Sequence, residues 1–165
     1  MSTKKLTVKD ANKLLEKYGK KIKDASSREF HIAHSRNLAN TTTALVAKKK
    51  KVDMQVLKIA SLVHDIGYSI DKKDHPKHSV EILEKEGYVI EGKLRDCIMN
   101  HSASASPKTT EGKIFQLADK VDIFNPNILS IIFKYNDKKI KKEDIDFLKL
   151  MTEKSAILLS KYTLS

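Results

Sequence analysis

The chain has 165 residues, a formal net charge of +11 at pH 7 and one cysteine, Cys97. A single cysteine excludes an internal disulfide and a cysteine-rich zinc site, and it is typical of a cytoplasmic protein in a reducing compartment. The longest apolar run, from Ile128 to Phe133, is too short to span a membrane. The length and the 3.6-residue periodicity predict a single all-α domain over residues 1–165.

Capping residues and helical spacing predict three helices in the N-terminal part. Thr7 opens a capping-box pattern for the first helix. A second helix is predicted from about residue 27 to residue 47, followed by a turn at residues 48–51. Asp53 is a suitable N-cap for a third helix that ends near His64. The inward face of the second helix is expected to carry His31, His34, Leu38, Thr41 and Leu45.

Glycine and proline residues predict where helices begin and end in the remaining part of the chain. A loop is predicted from Gly67 to residue 74, and Pro76 suits the first turn of a fourth helix that ends at Gly87. A short fifth helix follows at residues 92–100. Residues 102–107 form a polar loop of the kind that borders binding sites. A sixth helix is predicted at residues 111–123, and two or three short helices should follow the break at Pro126.

All six histidines lie between residues 31 and 101, and two of the acidic residues stand out beside them. His64 and Asp65 end an apolar helix, His34 lies on the helix before it, and Asp119 lies on a later one. Imidazole and carboxylate groups are the ligands that divalent transition metals take. The order of these residues therefore predicts a metal site. The alternative is a set of unrelated surface and core histidines.

Two histidines and two carboxylates suit Mn²⁺, Fe²⁺, Co²⁺, Ni²⁺ or Mg²⁺ as well as Zn²⁺. A metal in such a site lowers the pKa of bound water and polarises a phosphoryl oxygen. The sequence has no glycine-rich phosphate loop and no nucleophile elbow to suggest another chemistry. Hydrolysis of a phosphate ester or anhydride is the reaction that this ligand set predicts.

The motifs resemble those of the HD superfamily of metal-dependent phosphohydrolases. His34 matches the first histidine of that family, His64 and Asp65 match its name-giving pair, and Asp119 matches its last aspartate. The likeness covers about residues 28–125 and is strongest to small stand-alone hydrolases of nucleotides. It implies a compact single-domain helical bundle of the HD-domain type, with extra C-terminal helices beyond the core.

The same resemblance suggests roles for further residues. In branches with two metals, His75 and His101 would bind the second ion, and in branches with one metal they would handle protons or phosphate. One ion is favoured here, and two are possible. His75 fits this position better than His78. Lys120, Lys72 and Lys73 could neutralise phosphate oxygens, although exposed lysines are usually only solvated. His31 is expected to be a capping or surface residue.

The sequence leaves three readings of function open. The first is a metal-dependent phosphohydrolase whose partner is a small phosphorylated substrate, most simply a nucleotide attracted by the positive charge. The second is an HD-type regulatory module of low activity that binds a nucleotide or RNA. The third is a structural helical protein with incidental histidines. Scarce arginine and aromatic residues make a nucleic-acid partner possible but not favoured.

Overall fold

The structure is a computed structural model, and it describes residues 4–46, 51–135 and 140–163. These residues form an all-α fold, as the sequence predicted. The predicted turn at residues 48–51 lies, except for its last residue, outside the described ranges. The helices are α1 (Val8–Gly19), α2 (Ala25–Val46), α3 (Met54–Val63), α4 (His75–Lys85), α5 (Gly92–Met99), α6 (Thr110–Val121), α7 (Pro126–Tyr135) and α8 (Lys142–Thr163).

The predicted caps are confirmed. The Thr7 side chain accepts a hydrogen bond from the backbone N–H of residue 10 at the start of α1. The Asp53 carboxylate accepts two, from the backbone N–H groups of residues 55 and 56, at the start of α3. Pro76 lies in the first turn of α4, where its missing N–H costs no helical hydrogen bond. Local side-chain chemistry is therefore sufficient to start these helices.

Three elements differ from the prediction. A short 3₁₀ helix, Ile66–Ser69, takes up the start of the loop that was predicted from Gly67 to residue 74. The C-terminal helices are not all short, because α8 has 22 residues and is held against α6, where Leu158 is fully buried. Leu45, expected on the inner face of α2, is 38% exposed. Leu38, Thr42 and Val46 are the buried residues in that half of the helix, and their four-residue spacing leaves Leu45 off the buried stripe.

Helix α3 lies at the centre of the fold, between two apolar clusters. One side of it contributes Ile59 and Val63 to a cluster with residues of α1, α4 and α5. Another side contributes Leu57 and Ala60 to a cluster with residues of α2, α5 and α6, among them Phe115. Burial on two sides fixes the position of the C-terminal end of α3, where His64 and Asp65 follow.

The turn after α3 packs directly against α4. The Ser79 hydroxyl donates a hydrogen bond to the carbonyl oxygen of His64 at 2.6 Å and accepts one from the N–H of Gly67 at 2.9 Å. A Cβ at position 67 would lie 2.1 Å from the carbonyl oxygen of His75, so only glycine allows this approach. The contact brings His75 beside Asp65, where the His75 Nε2 lies 3.3 Å from the Asp65 Oδ1. Within the described ranges, no helix is both long enough and apolar enough to cross a bilayer.

Candidate metal centre

A cavity of about 470 Å³ opens where α2, α4 and α6 meet the end of α3. Five of the six histidines converge on its polar end, around Asp65 and Asp119. His78 is the exception, because its Nδ1 lies 2.9 Å from Glu81 on the outer side of α4. The polar end is thus supplied by α2, α4 and α6 and by the segments that follow α3 and α5, although the histidines are far apart in the chain. The five histidines that converge here are His31, His34, His64, His75 and His101.

One group of side chains joins the middle of α2 to the C-terminal ends of α3 and α6. His34 Nε2 lies 2.9 Å from Asp119 Oδ1. His64 Nε2 lies 3.3 Å from Asp65 Oδ1 and 3.4 Å from Asp119 Oδ1. Ligand atoms of His34, His64 and Asp65 all lie within 4.8 Å of one another, so that they could hold one ion. The four residues predicted as metal ligands are therefore brought together and buried.

A second group shares Asp65 with the first. His75 Nε2 lies 3.3 Å and His101 Nε2 lies 3.8 Å from Asp65 Oδ1, and the two Nε2 atoms are 2.9 Å apart. These three side chains also present ligand atoms within 4.8 Å of one another. The two histidines that were predicted to bind a second ion or phosphate thus lie next to the first group.

The hydrogen bonding of His64 tests whether these residues fit a metal ion. Its Nδ1 lies 3.1 Å from the carbonyl oxygen of Ser61, so this nitrogen donates and Nε2 faces the cluster. Nε2 is buried and has no hydrogen-bond partner among the described residues. A buried polar nitrogen without a partner is costly. A cation between Nε2 and the nearby carboxylates would remove this cost, and the residues therefore fit a divalent ion.

The other imidazoles are oriented in the same way. The Nδ1 of His75 lies 2.8 Å from the carbonyl oxygen of Lys72, and that of His101 lies 2.7 Å from the carbonyl oxygen of Ile98. Each ring donates its Nδ1–H to the backbone and turns Nε2 towards the site. Metal-binding histidines are oriented in this manner, because the outer hydrogen bond selects the ring form that leaves one nitrogen free for the ion.

Burial and charge shift the titration of the cluster. Burial opposes the protonation of His34, but its contacts with Asp119 and Asp122 outweigh burial and raise its pKa to about 9. For His64, the charges of Asp65 and Asp119 likewise outweigh burial and raise the pKa to about 10. The pKa values of Asp65 and Asp119 lie well below the usual value despite burial, because cationic side chains face them.

The pKa of His101 shifts in the opposite direction. Burial lowers its pKa to about 3, because the nearby carboxylates do not compensate for the loss of water. At neutral pH this ring is therefore neutral, with its Nε2 lone pair directed at His75 and Asp65.

Two residues beside the cluster were not predicted as part of the site. His31 is not a surface or capping residue: its side chain is only 13% exposed, and Nδ1 lies 3.0 Å from Asp65 Oδ2. The reason is its position three residues before His34, on the same face of α2. Asp122 is 1% exposed, and its Oδ2 lies 2.8 Å from His34 Nδ1.

The environment of Asp122 is made entirely of donors from α2. Besides His34, its other carboxylate oxygen accepts hydrogen bonds from the Asn37 amide and the Thr41 hydroxyl, each at 2.5 Å. A signal for this contact exists in the sequence, because Asp122 follows Asp119 by three residues and therefore faces the same side of the chain. His34 is consequently held between two carboxylates, one on each ring nitrogen.

The three lysines predicted near phosphate differ in position. Lys120 and Lys72 line the cavity, and the Lys120 ammonium contacts the Asp119 carboxylate. Lys73 is exposed and lies outside the cavity lining, because the chain turns outward before α4. The predicted polar loop does border the site. Ser102 lines the cavity, and the Gln116 amide donates hydrogen bonds to the carbonyl oxygens of Ser102 and Ala105.

Comparison with known proteins identifies similar chains. The family model of the HD domain matches residues 32–123, within the predicted core of about 28–125. A deoxyguanosinetriphosphate triphosphohydrolase-like protein of Caldanaerobacter subterraneus subsp. tengcongensis is 27% identical over 119 residues, which is 61% of this chain and 34% of that protein. The chain therefore spans about a third of the length of this relative.

One solved structure supports the fold. It is described as a predicted HD superfamily hydrolase from an uncultured Thermotogales bacterium, and it superposes with a TM-score of 0.57 at 21% sequence identity. The superposition covers 92% of this chain and 88% of that one, so it includes the helices that follow the range matched by the family model.

Proposed function

The chain belongs to the HD domain family, and on that premise we propose that it is a metal-dependent phosphohydrolase acting on a nucleotide or a related phosphorylated metabolite. The observation that carries the proposal is the buried Nε2 of His64, which lacks a hydrogen-bond partner and faces Asp65 and Asp119 at 3.3 and 3.4 Å. The name of the curated relative, a triphosphohydrolase-like protein, points to the same class of reaction.

The residues that would hold the ion are His34, His64, Asp65 and Asp119. Their mixture of imidazole and carboxylate groups suits Mn²⁺, Fe²⁺, Co²⁺, Ni²⁺, Zn²⁺ or Mg²⁺. A bound divalent ion supplies water of lowered pKa and polarises a phosphoryl oxygen. One ion is the simpler proposal, and a second would use Asp65 again with His75 and His101.

The side chains around the ligands position the reacting groups. Asp122 fixes the ring of His34, and the Ser61 carbonyl fixes that of His64. Lys120 and Lys72 line the cavity, and their charges would neutralise phosphate oxygens. His101 stays neutral at physiological pH and can accept a hydrogen bond from water or substrate at the phosphate end.

The test is phosphate release by purified protein loaded with Mn²⁺ or another of these ions, measured against a panel of nucleotides and simple phosphate esters. We expect turnover of at least one nucleotide, and no turnover after metal removal by a chelator. Nucleotide binding without turnover by fully metal-loaded protein would instead identify a regulatory module. Absence of both binding and turnover would refute the proposal.

A further inference from the structure

The cavity has a polar end, where the histidines and aspartates converge, and an apolar end. The proposed function assigns no role to the apolar end. Beyond the polar cluster its lining becomes apolar, on α2, α7, α8 and the 3₁₀ turn that follows α6. We call this lining the apolar wall. The residues of α7 and α8 lie outside the range matched by the family model, so the HD-domain match does not cover this part of the cavity. The wall consists of Phe30, Ile123, Ile131, Ile132, Phe147 and Met151.

The apolar wall begins in direct contact with the polar cluster. The ring of Phe30 stacks on His34 with centroids 5.8 Å apart and an angle of 15° between the ring planes. Ile123 is buried next to Asp122 in the chain. A group attached to a phosphate at the cluster would therefore reach the wall without crossing solvent. Phe147, at the far side, is 38% exposed and so has aromatic surface available for a ligand.

The charges of the cavity favour a substrate with few phosphates. Among the residues that the structure describes, Lys72 and Lys120 are the lysines in its lining, and Lys120 already contacts Asp119. Glu143, at the start of α8, lines the same cavity, and its carboxylate would repel additional phosphate groups. Proteins that bind polyphosphates use arginine forks, several cations or a glycine-rich loop.

The arginines of this chain are all engaged elsewhere. Arg28 donates to the carbonyl oxygen of Ile22, and the other two pair with glutamates on the outer surface. None of the three lines the cavity. The positive net charge of the chain is thus not concentrated at this site. The two outer pairs are Arg36 with Glu16 and Arg95 with Glu84.

We propose that the site selects a nucleoside monophosphate, with the phosphate at the polar cluster and the nucleoside on the apolar wall, and that nucleoside triphosphates are poor substrates. The inference rests on the proposed function. In the reaction, the oxygen of water forms a bond to phosphorus and the ester P–O bond breaks. The leaving oxygen takes up a proton, so that water and the monophosphate give a nucleoside and inorganic phosphate.

The first experiment compares deoxyadenosine monophosphate, deoxyadenosine triphosphate and β-glycerol phosphate with Mn²⁺-loaded protein. We expect kcat/KM to be highest for the monophosphate nucleotide. Phe147→Ala should lower the ratio of kcat/KM for the nucleotide to that for β-glycerol phosphate by about tenfold, the usual effect of losing an aromatic stacking partner. Phe124→Ala is the matched control, because Phe124 is also 38% exposed but lies outside the cavity lining.

A second experiment measures the wall without catalysis. Equilibrium dialysis of metal-stripped protein against deoxyadenosine should show saturable binding, weakened in Phe147→Ala and unchanged in Phe124→Ala. Preference for the triphosphate, or equal effects of the two phenylalanine variants, would overturn this inference and leave the phosphohydrolase proposal standing. If no phosphate ester is hydrolysed by metal-loaded protein, the proposed function itself fails, whatever the dialysis shows.

Discussion

The two histidine groups of the site use the same carboxylate but have different surroundings. In the first group, His34 and His64 lie beside Asp65 and Asp119. The Asp122 carboxylate contacts the other ring nitrogen of His34, Nδ1. In the second group, His75 and His101 share Asp65 with the first group and rest on backbone carbonyls. The histidines of the first group therefore face three carboxylates, whereas those of the second group face one.

The pKa values of the histidines reflect the same difference in surroundings. Burial acts on both groups, but contacts with carboxylates raise the pKa of His34 to about 9. Burial prevails for His101 and lowers its pKa to about 3. A site that stabilises a proton on its imidazole also stabilises a metal cation, because both are positive charges at the same nitrogen. We therefore expect the first group to bind an ion more tightly than the second.

The largest effect is expected at the residue that the two groups share. Asp65→Ala should remove bound metal and lower turnover by more than about 100-fold, beyond the loss caused by changing an outer partner of a metal ligand. The helical fold should persist, because the apolar clusters on both sides of α3 are unchanged. Plasma emission gives the metal content, and circular dichroism gives the helix content. Equal metal in wild-type and variant protein would show that the two groups are not one site.

The second prediction concerns pH and the first group. In metal-stripped protein the raised pKa values of His34 and His64 stabilise the fold fully below the unfolded value of 6.5, and this contribution is lost as the pH rises through about 9 for His34 and about 10 for His64. An ion must displace the same protons, so affinity should rise about tenfold per pH unit for each proton displaced.

Thermal unfolding checks this prediction between pH 6.5 and 9. The melting temperature of stripped protein should fall over this range, while the increase caused by Mn²⁺ should grow. The lowered pKa of Asp65 adds no slope here, because its contribution is lost only at pH values below its usual range. A Mn²⁺ effect that does not change with pH would argue that neither His34 nor His64 is a ligand.

The third prediction tests the support behind His34. Asp122→Asn places an amide where a carboxylate now accepts hydrogen bonds from three side chains, and it removes the charge that holds the His34 ring. Metal affinity should fall by about 10- to 100-fold. Thr41→Val is the control, since it removes one donor to Asp122 and leaves the contact with His34 intact.

Two measurements separate positioning from a general loss of stability. Isothermal titration with Mn²⁺ gives the affinity, and nitrogen NMR of the histidine rings reports which nitrogen of His34 carries the proton. The Asp122 variant should change both, and the Thr41 variant should change neither strongly. If both variants weaken metal binding equally, Asp122 acts through the fold and not through His34.

The smallest effect is expected in the second group. His101→Ala should leave the affinity for the first ion within about threefold, because His101 is neutral and contributes no charge to that ion. Anomalous scattering from crystals soaked in Mn²⁺ decides the number of ions. Two peaks about 3.5–4 Å apart in wild-type protein, with one of them lost in the variant, would show that both groups bind metal. A strong first peak alone would support the single-ion proposal.

Local chemistry explains what could be predicted from the sequence. The caps at Thr7 and Asp53 and the proline at position 76 act within one helical turn, so the sequence alone determines where these helices begin. His34, His64, Asp65 and Asp119 are recognisable because the residue types and their order carry the signal. Their assignment as metal ligands stays a prediction, although the structure brings them together.

Contacts between distant segments decided those features of the fold and the site that the sequence did not predict. His31 joins the site because α2 packs beside the end of α3. Asp122 joins it because α2 also packs beside the end of α6, at a sequence separation of 88 residues for the contact between Asp122 and His34. Lys72 and Lys73 are neighbours of the same type, yet only Lys72 lines the cavity. The length of α8 and the apolar wall likewise depend on packing against α6. The periodicity of apolar residues predicts which face of a helix is buried. Only the tertiary structure decides which other element that face packs against.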